Sequence, residues 1–192
     1  MNTPNKLSLL RMFLIPVMIF LYLASFVPYG KIFAIVVFVL ASLTDMLDGY
    51  IARKTNTVTN LGKLLDPIAD KLLVMSGLLL VVCDATIPQP YGVVVAILII
   101  GRELLISAFR QIAASQNVIM AADSFGKLKT ITQDVAIPLL FLIAFFNNTA
   151  IISNSALAVV RIVGYSLIGL ATLFTILSGI NYIVKNKNVL KG

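Results

Sequence analysis

The sequence predicts an all-α fold, an integral membrane bundle of six transmembrane helices with both termini cytoplasmic. Three observations predict it. Hydrophobic residues make up 59% of the chain and charged residues only 12%, with a mean hydropathy of +1.00. A soluble domain carries about 45–50% apolar and about 25% charged residues. The apolar residues also fall into six runs, each near the roughly 20 residues that a helix needs to cross a bilayer core. Finally, the basic residues gather at alternate ends of those runs.

The first run, near 7–27, is too long for a signal-peptide core, and no small-residue cleavage site follows it, so it reads as a retained span. VPYG at 27–30 breaks the chain before the second span, 31–53. RKTNTVTN at 53–60 is a polar bend, where Thr and Asn favour a turn and a helix cap, and the third span follows at 62–83. DATIPQP at 84–90 separates it from the fourth, 91–116. The fifth, 125–146, ends before NNT and SNS, and the sixth occupies 157–184. No linker or internal repeat divides residues 1–192, so a single transmembrane domain is expected.

With the N-terminus in the cytoplasm, Lys6, Arg11, Arg53, Lys54, Lys63, Arg110, Lys127, Lys129, Lys185, Lys187 and Lys191 fall at cytoplasmic ends. Lys31 and Arg161 fall on the far side, while Lys71 and Arg102 lie within spans. The net charge of +7 therefore reads as attraction to anionic membrane lipids, and no nucleic acid partner is expected. Cys83 is the single cysteine and histidine is absent, which excludes an internal disulfide, imidazole bases and ordinary zinc sites. Acid–base or metal chemistry must rest on carboxylates.

Those carboxylates are concentrated. The window DMLDGYIARKTNTVTNLGKLLDPIAD, residues 45–70, holds four of the 8 acidic residues. Asp45 and Asp48 share one helix face, and Asp66 and Asp70 share another. Gly62 lies one turn before Asp66 and Gly49 follows Asp48, leaving room for a ligand or a close backbone contact. If the two helices pack side by side, the four acids converge near the cytoplasmic surface. Their repulsion is relieved either by protonation or by divalent cations, for which oxygen ligands favour hard ions such as Mg²⁺, Mn²⁺ or Ca²⁺. Salt bridges to Arg53, Lys54, Lys63 or Lys71 are the plainer alternative.

The window also resembles the signature of the CDP-alcohol phosphotransferase family. That pattern is D, two residues, DG, two residues, AR, eight residues, G, three residues, D, three residues, D. Here it is met by Asp45, Asp48, Gly49, Ala52, Arg53, Gly62, Asp66 and Asp70. The resemblance implies a two-metal enzyme that cleaves a CDP-linked lipid or alcohol, with two Mg²⁺ or Mn²⁺ ions as cofactors. Asp45, Asp48, Asp66 and Asp70 would be the metal ligands, and Asp70 also the general base, two roles that partly compete. Gly49, Ala52, Gly62 and Arg53 would line the path of the CDP-lipid.

Three further stretches resemble the bacterial branch whose acceptor is glycerol 3-phosphate. Pro4, Asn5, Ser8 and Arg11 match its opening, with Ser8 where Thr is usual; Asn5 and Ser8 bind the CDP-lipid on this reading and cap the first helix on the other. GRELLISAFR at 101–110 and FGKLKT at 125–130 complete the likeness. A dianionic acceptor approaching a carboxylate-rich site needs cations to hold it. Arg102, Arg110 and Lys127 are the candidates. Arg102 lies about 12 Å deeper than Arg110 and should face the bundle interior. Glu103 is read as its neighbour's counter-charge or a structural hydrogen-bonding group, Lys129 as an interfacial anchor, and Asp123 as a partner of Lys127. Gln133 and Asp134 make the fifth span polar on one side and are read as packing against the cavity, with no chemistry assigned.

The expected reaction is transfer of the phosphatidyl group of CDP-diacylglycerol to glycerol 3-phosphate by direct displacement, at a cytoplasm-facing site in a bacterial plasma membrane. A homodimer follows from the resemblance alone. Sister enzymes with inositol phosphate, serine or a phospholipid as acceptor are the first rivals. A divalent-cation transporter is a remote one, because no matching acidic cluster appears in the other half of the chain.

Overall fold

The computed structural model describes residues 3–55, 60–115, 124–149 and 151–186; the side chains of 3–6, 45–55, 60–64, 66, 114, 115 and 124 lie outside the described set. Among the described residues there are six helices and no strand: α1 (Thr3–Leu23), α2 (Gly30–Thr55), α3 (Asn60–Cys83), α4 (Tyr91–Ser115), α5 (Ser124–Asn147) and α6 (Asn154–Lys185). Three are long and apolar enough to cross a membrane, over Tyr91–Ala113, Phe125–Asn147 and Asn154–Lys185, while Leu7–Leu23 and Gly30–Thr44 are shorter apolar stretches.

Helix ends follow local chemistry. The first helix starts and stops four residues earlier than the expected 7–27. Its end is set by the turn after it: the Val27 amide donates to the Ala24 carbonyl at 3.0 Å, and Tyr29 takes a φ of 57°. A Cβ on Gly30 would stand 2.3 Å from the Leu21 carbonyl oxygen, so only glycine lets α2 begin against the end of α1. The hydroxyl of Ser153 caps α6 by accepting from the Ala156 amide at 3.3 Å.

The chain runs up and down. The proximal end, where α1 begins and α2 finishes, also holds the start of α5 and the end of α6. The α5–α6 and α1–α2 pairs pack most closely, α1 and α5 both lie against α2 and α3, and α4 bridges α3 and α6. Helices in lipid are held together by close packing rather than by expulsion of water, and the core shows it. Phe141 lies against Tyr22 and Phe38, with ring centroids 4.5 and 6.2 Å away. Small residues, Ala34, Ala41, Ala136, Ala144 and Ala171, are fully buried between helices. Large apolar side chains such as Ile97, Val159, Ile162 and Val184 point outward, as a lipid-facing surface requires.

The distal end is tied by polar contacts. The Asp84 carboxylate accepts from Lys31 Nζ at 2.6 Å and Tyr22 OH at 3.1 Å, and Lys31 also reaches the Ala144 carbonyl at 3.3 Å. Tyr165 OH donates to the Thr86 carbonyl at 2.7 Å, and Arg161 to Asn147 Oδ1 at 2.6 Å. Lys31 and Arg161 thus share one end of the bundle.

Two basic residues are deeper than expected. Arg11, read as an end-of-span cation, is completely buried, as is Ser8 one turn before it. Both face inward because α1 packs on α2 and α3 along that side. Lys129, read as an interfacial anchor, is also buried, because it has an acid to reach inside the bundle.

Candidate active site

The proximal end opens into a cavity of about 730 Å³ bordered by α3, α4, α5 and α6. Asp70 reaches it from α3, three residues after Pro67, with Lys71 beside it. Arg102, Glu103, Ser107 and Arg110 come from α4; Gly126, Lys127, Lys129 and Thr130 from the start of α5; Tyr182 from the end of α6. The three cations expected to hold an acceptor phosphate, Arg102, Arg110 and Lys127, therefore meet Asp70 in one cavity. Positions 102, 106 and 110 recur at helical spacing, so one face of α4 supplies the wall.

Each cation is held differently. Arg102 Nη1 donates to Glu103 Oε1 at 2.9 Å, and Nη2 to Ser178 Oγ at 2.9 Å. The expected inward orientation of Arg102 is met, with α6 as the receiving surface. A Cβ on Gly179 would sit 3.2 Å from Arg102 Cγ, so glycine there lets the arginine stem lie against α6. Lys129 Nζ donates to the same Glu103 oxygen, and the charge of Asp70 reaches Lys129 as well. Glu103 is thus the counter-charge of two cations, Arg102 and Lys129. Arg110 Nε donates to Tyr182 OH at 3.1 Å, with the guanidinium carbon 5.4 Å from the ring centroid. Tyr182 is itself fixed edge-on by Phe109, centroids 6.0 Å apart.

Among the described residues the lining holds five cations, Lys71, Arg102, Arg110, Lys127 and Lys129, against two carboxylates, Asp70 and Glu103. Such an excess in a partly enclosed, low-dielectric site attracts a multiply charged anion. Arginine forks suit phosphate oxygens in particular.

Ser178 and Tyr182 were not legible as site residues. Both stand in a largely apolar run, Tyr182 next to Asn181, and each meets its arginine from more than 70 positions away. Their four-residue spacing on one helix face was the available signal.

The remaining expected site residues stand on helices whose side chains are not all described. Positions Asp45, Asp48, Gly49, Ala52 and Arg53 occupy the last three turns of α2, and Gly62 and Asp66 the first turns of α3. Their side chains, and that of Asn5 in α1, lie outside the described residues, as does Asp123. Ser8 is buried on the face of α1 that packs against α2 and α3. Among the described residues no three potential ligands gather around a metal position.

The chain has relatives of known name along nearly its whole length. The chain is 36% identical to a CDP-diacylglycerol–glycerol-3-phosphate 3-phosphatidyltransferase of Bacillus subtilis, over 99% of this chain and 97% of that one. A Rickettsia bellii protein of the same name is 35% identical over 94% of this chain and 93% of its own. An Arabidopsis thaliana protein, the second so named in that plant, is 39% identical over 71% of this chain and 63% of its own. The profile of CDP-alcohol phosphatidyltransferases matches residues 1–180, and the chain belongs to that family.

Proposed function

We propose that this chain transfers the phosphatidyl group of CDP-diacylglycerol to glycerol 3-phosphate, giving phosphatidylglycerophosphate and CMP. One observation carries the reading: a single cavity gathers Asp70 with Arg102, Arg110 and Lys127, in a chain whose full-length relatives bear that activity in their names.

In this reading the acceptor's phosphate sits between Arg110 and Lys127 near the cavity mouth, with Arg102 deeper. Its primary hydroxyl then points toward Asp70. The hydroxyl oxygen bonds to the phosphorus that carries diacylglycerol, and the hydroxyl proton passes to the Asp70 carboxylate. The bond from that phosphorus to the bridging oxygen breaks, and CMP departs with the electron pair. Holding both reactants in this order replaces a bimolecular encounter by an oriented one. Arg53 would balance charge on the departing nucleotide, with Asn5, Ser8, Gly49, Ala52 and Gly62 along its path.

Asp45, Asp48, Asp66 and Asp70 offer only hard oxygen donors, paired at one-turn spacings on neighbouring helices, a set suited to two Mg²⁺ or Mn²⁺ ions. Such ions supply charge neutralisation on the pyrophosphate and its leaving oxygen. We further propose six spans, both termini cytoplasmic, a bacterial plasma membrane location and a homodimer. The concentration of Arg110, Lys127 and Lys185 at the proximal end supports that orientation.

The test is a CMP-release and lipid-product assay on the full chain in detergent. It uses CDP-diacylglycerol, Mg²⁺ or Mn²⁺, and glycerol 3-phosphate, inositol phosphate or serine in separate arms, with EDTA as control. Phosphatidylglycerophosphate formed only with glycerol 3-phosphate and metal supports the proposal. Turnover with a different acceptor moves the chain to a sister activity.

A further inference from the structure

Gln133 is 1% exposed, and among the described residues neither its Oε1 nor its Nε2 has a hydrogen-bond partner. A buried amide left this way costs about 1–3 kcal/mol per unpaired group, so a residue that costs stability here has another use to explain.

Its position supplies one. Lys129, Gln133 and Ile137 recur at four-residue steps on the buried stripe of α5. Lys129, at one end of the stripe, lines the cavity. At the other end, Ile137 lies against Gly77 of α3, where an added Cβ would stand 2.8 Å from Ile137 Cγ2 and 3.3 Å from Phe38 of α2. Gln133 therefore lies between these two contacts on the same stripe, one turn beyond the Lys129 that lines the cavity. From the Gly77 level, Asp70 is seven residues nearer the proximal end, about 10 Å along the axis, and Gln133 is one turn nearer than Ile137, about 6 Å. Side chains of both helices lean toward their N-termini, here the proximal end, and the longer reach of glutamine narrows the remaining offset of about 4 Å from Asp70 to one that a bound hydroxyl can span.

The chemistry of the amide narrows what it takes. A phosphate would use only the Nε2 donor, and a cation only Oε1. A hydroxyl both donates and accepts, and satisfies the two together. We propose that Gln133 is a positioning residue that holds a neutral hydroxyl beside Asp70, either the secondary alcohol of the acceptor or a water at the same place. The secondary alcohol fits because it keeps its proton while the primary one reacts. The inference rests on the reading of the cavity as the acceptor site. It goes further in giving the site a way to tell a polyol phosphate from a simple alkyl phosphate.

The experiment compares glycerol 3-phosphate with 3-hydroxypropyl phosphate, which keeps the attacking hydroxyl and lacks the secondary one, in the wild type and Gln133→Leu. A site built around a hydroxyl rejects the analogue lacking it. If the acceptor's alcohol is held, the wild type prefers glycerol 3-phosphate by about tenfold or more in kcat/KM and the variant loses that preference. If a water is held, both enzymes show the same preference, and the variant loses about tenfold or more in kcat with both acceptors at an unchanged melting temperature. Gln133→Leu turning over both acceptors within about twofold of wild type overturns the proposal. Gln133→Met, similar in length but with no donor to offer a hydroxyl, serves where Leu prevents folding; wild-type rates and selectivity there also overturn it. An Asp70→Asn protein run alongside separates the two readings. Its full activity would defeat the site assignment, while its inactivity with a neutral Gln133 variant would defeat this inference alone.

Discussion

Arg110 and Tyr182 form one unit: Nε donates to the phenol oxygen at 3.1 Å while the guanidinium stands over the ring, 5.4 Å from its centroid. The hydrogen bond fixes the rotation of the fork, and the ring fixes its distance from α6. Tyr182→Phe keeps the ring and removes the acceptor. A hydrogen bond to a charged group is worth about 1.5–3 kcal/mol, so KM for glycerol 3-phosphate should rise about tenfold or more, with KM for CDP-diacylglycerol changed little. Steady-state kinetics in each substrate separately check this.

Glu103 stands between two cations, and Glu103→Gln leaves Arg102 and Lys129 facing each other without it. The side chains of Glu103 and Lys129 are 15% and 6% exposed, so water screens little of the repulsion. Removing one partner of such a buried group costs about 3–5 kcal/mol. Thermal unfolding in detergent should show a clearly lowered midpoint, and transfer activity should fall with it.

Asp70→Asn removes the proposed base and one proposed metal ligand while keeping the side chain's shape. Loss of a positioned general base costs about 10²–10⁴-fold in rate, and kcat should fall by at least that range's lower limit. EDTA should abolish turnover in the wild type and Mg²⁺ or Mn²⁺ should restore it. A CMP-release assay reads both effects.

Two glycines should respond in opposite ways to alanine. At Gly77 the new methyl would meet Ile137 Cγ2 at 2.8 Å, and a β-branched side chain has little freedom to turn away. Gly77→Ala should destabilise by about 1–3 kcal/mol despite the gain in helix propensity. At Gly169 nothing lies within 4 Å, so alanine there should be neutral or stabilising by up to about 1 kcal/mol. Melting midpoints of the two proteins, compared directly, test the difference.

The helices were legible because apolar runs near 20 residues are separated by turn chemistry, and five of the six fall within three residues of the expected bounds. The first was misplaced because its apolar run continues past Leu23 into Phe26 and Val27, which hydropathy cannot distinguish from helix, whereas the backbone turns at Ala24. That Arg102, Arg110 and Lys127 would share a cavity was legible because cations in and near the ends of apolar spans must face the bundle interior or its mouth rather than lipid. Lys129 was misread because its nearness to the start of α5 outweighed its register. It belongs to the stripe with Gln133 and Ile137, and register decides burial. Ser178 and Tyr182 act on residues of a distant helix, and no local pattern encodes that.

The knot around Asp84 gives the molecule an uneven stiffness. Lys31, Tyr22 and Asp84 pin three helices together at the distal end, and Arg161 with Asn147 pins two more. The proximal end is held partly by charges that a phosphate would compete for. The knot thus works as a clasp, keeping the distal ends of α1, α2, α3, α5 and α6 in register at the end of the bundle away from the cavity.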